Sequence, residues 1–294
     1  MQQRSIVRLG VPLAVAALAL SACGSREAAT TTTAGSATKT VKIGVIAPLS
    51  GGLSALGLGI KNSVDLAIKQ ANETNAVPGW KFELAAQDDE AKAEVGKNAA
   101  TKLSSDDAVL GVVGTLNSSV AQQTMPVLAA ANIAQVAPAN TNPTLTQGAD
   151  AAAKKRPYTN YFRTCTTDAV QGPFAAQYLL GAGIKSVATI HDKKTYGQGL
   201  VDAFTVEFKK GGGTVVAAET IGENDKDFSA VISKIKPNSP AAIYYGGEYP
   251  QAGPLSQQMK SQGLSVPLMG GDGIFDPKYI ELAGTTANGD LATS

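Results

Sequence analysis

Histidine occurs once in 294 residues, tryptophan once and cysteine twice, and aromatic residues make up only 5% of the chain. Each shortage closes a route. A hydrolase needs a nucleophile with an oriented base, and the single histidine, His191, has no recognisable partner beyond the neighbouring Asp192. It reads as a structural imidazole. Sparse aromatics and a formal charge of +1 supply neither the stacking platform nor the basic face of a nucleic-acid binder. No phosphate loop is present, and Gly57-Leu58-Gly59 lacks the third glycine of a dinucleotide fingerprint because Asn62 stands there. Gly211-Gly212-Gly213 follows a helical pattern and therefore stops a helix. No apolar run of membrane-spanning length follows residue 20.

What is there begins with the N-terminus. Arg4 and Arg8, no acid, and an almost wholly apolar run over 11–20 have the layout of a secretory signal. Leu20-Ser21-Ala22-Cys23 resembles the lipobox of bacterial lipoproteins, which implies that Cys23 becomes the lipid-modified first residue of the mature chain. A chance cysteine after an ordinary signal is the plainer alternative, and the scarcity of cysteine argues against it. Residues 24–40, mostly Ser, Thr, Ala and Gly, read as a flexible tether. Cys165 is then alone in the mature chain, without an intramolecular disulfide, and reads as a small buried residue.

Beyond the tether, 44% hydrophobic content and 31 glycines suit an α/β protein with many tight strand-to-helix turns. Apolar runs at 41–47, 80–86, 108–113 and 133–137 read as buried strands, with helices over 57–75 and 91–103. Ile60, Val64, Ala67, Ile68 and Ala71 mark the inward face of the first helix. A polar loop at 150–160 and an extended 161–164 break the rhythm. A second series follows, with helices over 171–180, 196–210, 228–235, 251–262 and 277–283, and strands over 186–190, 214–221, 241–245 and 266–269. Repeated βα units imply parallel sheets covered on both faces. The chain therefore predicts two doubly wound lobes joined by a hinge, 41–163 and 164–294, with the crossover near Arg163–Asp168.

Ligands of open α/β sheets sit at the carboxyl ends of strands. Two turns there, Asn117-Ser118-Ser119 and Asn140-Thr141-Asn142, bring hydroxyls and helix-start N–H groups that favour a small anion. Ser118 and Thr141 could equally be plain N-caps. The second lobe contributes turns at 191–197, 246–251 and 270–275. In the last, Asp272 is flanked by glycines that let backbone and carboxylate close on a ligand. Tyr196 is either a staple within its lobe or a wall of the cleft. Asp88-Asp89-Glu90 could be part of a metal site, but acids at a helix start explain it more cheaply.

These residues also carry a family likeness. KIGVIAPLSGG at 42–52 is similar to the opening of bacterial branched-chain amino acid binding proteins of ABC importers, which have the type I periplasmic binding fold. The likeness continues through QDDE at 87–90, the 114–119 turn, 137–146, FRT at 162–164 and QGP at 171–173. HDKKTYGQGL at 191–200, DKDFS at 225–229, YYGG at 244–247 and MGGDG at 269–273 complete it. The resemblance implies that Ser118, Thr141 and the backbone of Ala139 hold a ligand carboxylate, and Asn117 and Asn140 in the same turns are further ligand-binding candidates. It implies that Asp272, where the family usually has Glu, pairs with the ammonium, and that Tyr196 closes over the ligand. Leu56 replaces an aromatic of leucine-binding relatives, and Glu248 replaces a tyrosine. Glu248 adds an acid near Asp272, which would suit a ligand with a second donor.

The expectation is a monomeric, lipid-anchored, extracytoplasmic binding protein. It would capture a free amino acid, branched-chain aliphatic as a first choice, and deliver it to ABC permease subunits. No cofactor, metal or covalent chemistry is implied. A ligand-sensing subunit of the same fold is the alternative. The resemblance also implies that relatives run on beyond Ser294 to return to the first lobe, so the chain is expected to be a fragment.

Overall fold

The computed structural model describes residues 38–150 and 153–294, and residues 38–294 form one compact unit. Cys23, the signal and most of the tether lie outside the described residues. The first lobe is built on β1 (Lys39–Ala47), β2 (Trp80–Asp88), β3 (Val109–Gly114), β4 (Ala134–Ala137) and β5 (Tyr161–Arg163), paired in the order β2-β1-β3-β4-β5. The second is built on β6 (Ser186–His191), β7 (Thr214–Thr220), β8 (Ala242–Gly246), β9 (Leu268–Gly270) and β10 (Leu291–Ala292), in the order β10-β9-β8-β6-β7. Every pairing is parallel, so the expected architecture of two parallel α/β lobes is what the chain adopts.

Helices α1 (Ser54–Glu73), α2 (Ala93–Ser104), α3 (Ser118–Ala130) and α4 (Thr144–Gln147) belong to the first series. The second has α5 (Asp168–Gly181), α6 (Thr195–Lys210), α7 (Ser229–Ile235), α8 (Tyr249–Ser261) and α9 (Pro277–Ala283). Boundaries differ from the sequence pattern where backbone geometry decides. Helix α2 starts two residues later than expected because Glu90 and Ala91 are left-handed, with φ of 50° and 58°. Helix α1 starts three residues earlier, and Leu53 just before it is buried among second-lobe side chains. The face of α1 marked by Ile60, Val64, Ile68 and Ala71 is only half-buried, and Ala67 is exposed. Strand β10 is two residues long, too short to leave a pattern.

Packing in the second lobe follows a helical period of four. Tyr196, Leu200, Phe204 and Phe208 are all buried on α6. Phe204 stacks on Tyr244 of β8 with ring centroids 3.7 Å apart and on Phe208 at 5.1 Å. Strand β8 is buried at all five positions, as a central parallel strand covered on both faces must be. The opposite face of that sheet packs on α7 and α8 through Val231, Ile232, Leu255 and Met259. In the first lobe Ile46 and Val112 meet Ala99, Leu103 and Leu128.

Phe204 is fully buried between two rings. Truncation of such a side chain loses both transfer energy and packing, so Phe204→Ala should lower unfolding free energy by about 3–5 kcal/mol. Urea denaturation of both proteins measures it; a loss below about 1 kcal/mol would contradict this packing.

Candidate functional site

The order of strands reverses at β1/β3 in one sheet and at β6/β8 in the other. A parallel sheet opens a crevice at such a reversal, outside the carboxyl ends of its strands. Here the two crevices face each other and enclose a cavity of about 80 Å³. Leu116, Asn117 and Ala139 line it from the turns after β3 and β4, and Leu56 from the first turn of α1, which follows β1. Glu248, Asp272 and Gly273 line it from the turns after β8 and β9, and Tyr196 from the first turn of α6, which follows β6.

The lobes meet around it. Asn117 Nδ2 donates to Glu248 Oε1 at 2.6 Å, and Tyr249 OH donates to the Gly52 carbonyl at 2.6 Å. Asn142 Nδ2 donates to the Thr195 carbonyl at 2.9 Å, and Thr195 Oγ1 donates to Gln122 Oε1 at 3.1 Å. This is a closed arrangement. Glu248 also borders a second hollow of about 150 Å³ on its far side, lined by Lys92, Lys194 and Glu223. A larger hollow of about 480 Å³ beside α9 holds Asp290, but that carboxylate is taken up by Ser256, Tyr279, Lys260 and the Leu268 N–H. It offers no comparable convergence of unspent polar groups.

On the second-lobe side, Asp272 Oδ1 accepts from Tyr196 OH at 2.8 Å and from Gln171 Nε2 at 3.0 Å. The turn is tight: a Cβ on Gly271 would stand 2.7 Å from Gln171 Oε1, and one on Gly273 would stand 2.7 Å from the Gly247 carbonyl. Only glycine lets the backbone approach so closely. Glu248 has both oxygens committed, Oε1 to Asn117 and Oε2 to Lys194 at 3.4 Å. The acid expected to offer a second ligand contact is therefore neutralised within the protein.

Six of the nine sequence candidates line the cavity: Leu56, Asn117, Ala139, Tyr196, Glu248 and Asp272. Ser118, Asn140 and Thr141 lie buried in the same turns without lining it. Neither Ser118 nor Thr141 is an N-cap: Ser118 is the first residue of α3 after Asn117, and Asn142 Oδ1 caps Thr144 N. Ser118 Oγ accepts from Asn142 N at 3.3 Å, tying the two turns. Asn140 accepts from Tyr161 OH and donates to the Leu116 carbonyl, while Arg163 donates to the carbonyls of Asn140 and Asn142. Thr141 Oγ1 sits beside the carboxylate of Asp168.

Reading by sequence did not single out Gln171, Asp168, Lys194 or Leu116 as site residues. Gln171 lay in the QGP motif without a role, and Lys194 in the HDKKTYGQGL motif. Elsewhere the flagged groups serve the scaffold. Asp88 accepts from Leu49 N, Glu90 N and Ser50 Oγ, and Asp89 Oδ1 accepts from Ala91 N. His191 Nδ1 accepts from Lys193 N. Cys165 is half-buried, with its thiol 3.4 Å from the Asn140 carbonyl.

The profile of a family described as periplasmic binding protein matches residues 40–294. The Leu/Ile/Val-binding protein homolog 3 of Brucella melitensis is 36% identical over 268 residues, 91% of this chain and 70% of that protein. The crystal structure of the leucine binding protein LivK from Thermotoga maritima superposes with a TM-score of 0.76 at 30% identity, covering 84% of this chain and 67% of that one. The branched-chain amino acid transporter substrate binding protein LivJ from Streptococcus pneumoniae, solved with isoleucine, gives 0.75 at 27% identity, covering 84% and 68%.

Burial sets the charge states around the cavity. It pushes the Asp272 carboxyl above the usual range, against which the hydrogen bonds from Gln171 and Tyr196 work. Asp168 is 0% exposed, and burial with the nearby charge of Asp272 pushes it up to about 7. Burial and the Glu248 charge push Asp192 up to about 8. Against the cost of its own burial, Glu248, Asp192 and Glu223 raise the pKa of Lys194. An acid whose folded pKa lies above its unfolded value binds more protons in the fold, so its contribution is full below about pH 4 and is lost as pH rises through its folded pKa. For Asp168 the decline runs from about pH 4 to 7. In the ligand-free protein, Asp168→Asn should remove it, raising stability at pH 8 by about 1–4 kcal/mol and by less at pH 5. Urea midpoints at both pH values check the sign; an equal or larger gain at pH 5 would refute it.

Proposed function

The chain belongs to the periplasmic binding protein family, and we propose that it is the extracytoplasmic solute-binding subunit of an ABC importer, taking a free α-amino acid between its lobes. The observation that carries this reading is the Asp272 carboxylate, one oxygen anchored and the other unspent, across a single cavity from the Asn117–Ala139 side. An ammonium group is the natural partner for that oxygen. The opposing wall suits a carboxylate. The N–H groups of Ser118 and Ser119 open α3 without a backbone acceptor, and the Ser118 hydroxyl, already accepting from Asn142 N, keeps its proton for a ligand.

One zwitterion then bridges both lobes, so binding favours the closed state by the difference in its contacts with the two. Leu56 and Leu116 offer an apolar end to the cavity, in keeping with a branched-chain aliphatic ligand. The relatives named for leucine, isoleucine and valine support the same choice. Ser118, Thr141, Asn140, Asn117 and the Ala139 backbone are proposed for the carboxylate end, and Asp272 and Tyr196 for the amine end. Delivery would be to a membrane permease, with the protein held at the membrane through a lipid on Cys23.

Two experiments test this. Calorimetric titration of the protein with L-leucine, L-isoleucine and L-valine should show binding, and Asp272→Ala should weaken it at least thirtyfold, about 2–5 kcal/mol. Unchanged affinity would remove the ammonium site. For the anchor, Cys23→Ser should shift the protein from the membrane fraction to the soluble fraction on cell fractionation; continued membrane retention would count against lipidation.

A further inference from the structure

Asp272 does not hold its orientation unaided. Gln171, 4% exposed on the first turn of α5, grips the Asp272 turn twice. Its Nε2 donates to Asp272 Oδ1 at 3.0 Å, and its Oε1 accepts from Asp272 N at 3.0 Å. The same Oε1 accepts from Thr293 Oγ1 at 2.7 Å, in the segment that follows β10. Tyr196 OH completes the frame, donating to Asp272 Oδ1 and accepting from Gly273 N at 3.1 Å. Both side-chain donors thus fall on one carboxylate oxygen, and among the described residues no donor from another residue reaches the second.

We infer that Gln171 is a positioning residue for ligand recognition: its amide locks Asp272 so that Oδ2 faces the cavity, ready for an ammonium group. This rests on the amino-acid reading given above. The chemistry calls for a primary amide, because the position needs a donor for Oδ1 and an acceptor for Asp272 N and Thr293 Oγ1 within one planar group. Leucine or methionine would provide neither. Glutamate would keep both acceptor contacts but set a carboxylate against Oδ1, where only a shared proton could restore the bond. Orientation within a few tenths of an ångström matters because a misdirected carboxylate would meet the ammonium off its lone pairs. The other titratable groups facing Asp272 are Tyr196, Asp168, Glu248, Tyr244 and Cys165. They remain in every variant, so the parent measured at the same pH values accounts for them.

The test uses the full chain and the proteinogenic L-amino acid that the parent binds most tightly by calorimetry. Gln171→Glu should bind it about thirtyfold more weakly at pH 8 and recover at least fivefold at pH 5.5, while melting cooperatively at both. Gln171→Met should lose a similar factor at pH 8 and recover nothing at pH 5.5. Affinity of Gln171→Glu within threefold of the parent at pH 8, or a loss that is the same at both pH values, would overturn the inference. If that variant does not fold, Gln171→Met decides: binding within threefold of the parent overturns it, and a tenfold or greater loss supports it. A parent that binds no amino acid overturns the functional reading and this inference with it. A parent that binds, with variants unaffected, overturns this inference alone.

Discussion

All five strands of each sheet run parallel, and this constraint places every strand's carboxyl end on one edge. The turns at that edge are where helices begin, where N–H groups lack partners and where polar side chains escape the apolar layers. One lobe alone would offer a shallow polar rim. Two lobes with their rims opposed make an enclosed gap in which six turns contribute, and the residues of the cavity come from the ends of β1, β3, β4, β6, β8 and β9. The site is a consequence of topology before it is a consequence of any one side chain.

Polar groups away from the gap are spent on holding those turns in place. Gln135 donates to the Gly114 carbonyl and to Thr124 Oγ1, and Arg163 stitches Asn140, Asn142 and Thr146 together. Buried polar atoms in folded proteins are nearly always paired, so the exceptions carry information. Among the described residues nine buried side-chain atoms have no hydrogen-bond partner: Asp89 Oδ2, Asn117 Oδ1, Thr141 Oγ1, Arg163 Nε, both oxygens of Asp168, Asp192 Oδ2 and the hydroxyls of Tyr244 and Tyr245. Five of them, on Asn117, Thr141, Asp168 and Asp192, belong to residues at the turns bordering the gap or at the crossover beside it, and there the Thr141 hydroxyl sits beside the Asp168 carboxylate.

Much of this was legible in the residues themselves. Alternating apolar runs and helical periods gave the two parallel lobes, and glycines around Asp272 marked a close approach that the turn does require. Of the first-lobe candidates in these turns, the amide Asn117 lines the cavity and reaches Glu248 across it, whereas the hydroxyl residues Ser118 and Thr141 do not line it. Repetition of the two turns pointed to the right place but could not rank neighbouring side chains, because one residue's shift at a helix start turns a wall into a brace. Gln171 is separated from Asp272 by 101 residues, and no periodicity links them. Such long-range pairings exist only once both sheets are folded.

Charge inside the gap also differs from a simple count of its acids. Glu248 and Asp272 line it, and two further carboxyl groups, Asp168 and Asp192, interact with them electrostatically from outside the lining. Glu248 is paired with Lys194 and bonded to Asn117, so it offers no free negative charge. Burial pushes Asp168 and Asp192 up to about 7 and about 8, which leaves a large share of both protonated near neutral pH. Asp272 alone has two donors on one oxygen to hold its charge and an unspent second oxygen at the cavity wall. Of the two acids that line the cavity, Asp272 alone keeps an oxygen without a donor from another residue, and the proposed ammonium contact rests on that oxygen. A dication would find one firm partner and then an already satisfied glutamate, and would have to break the Glu248–Lys194 pair to gain a second.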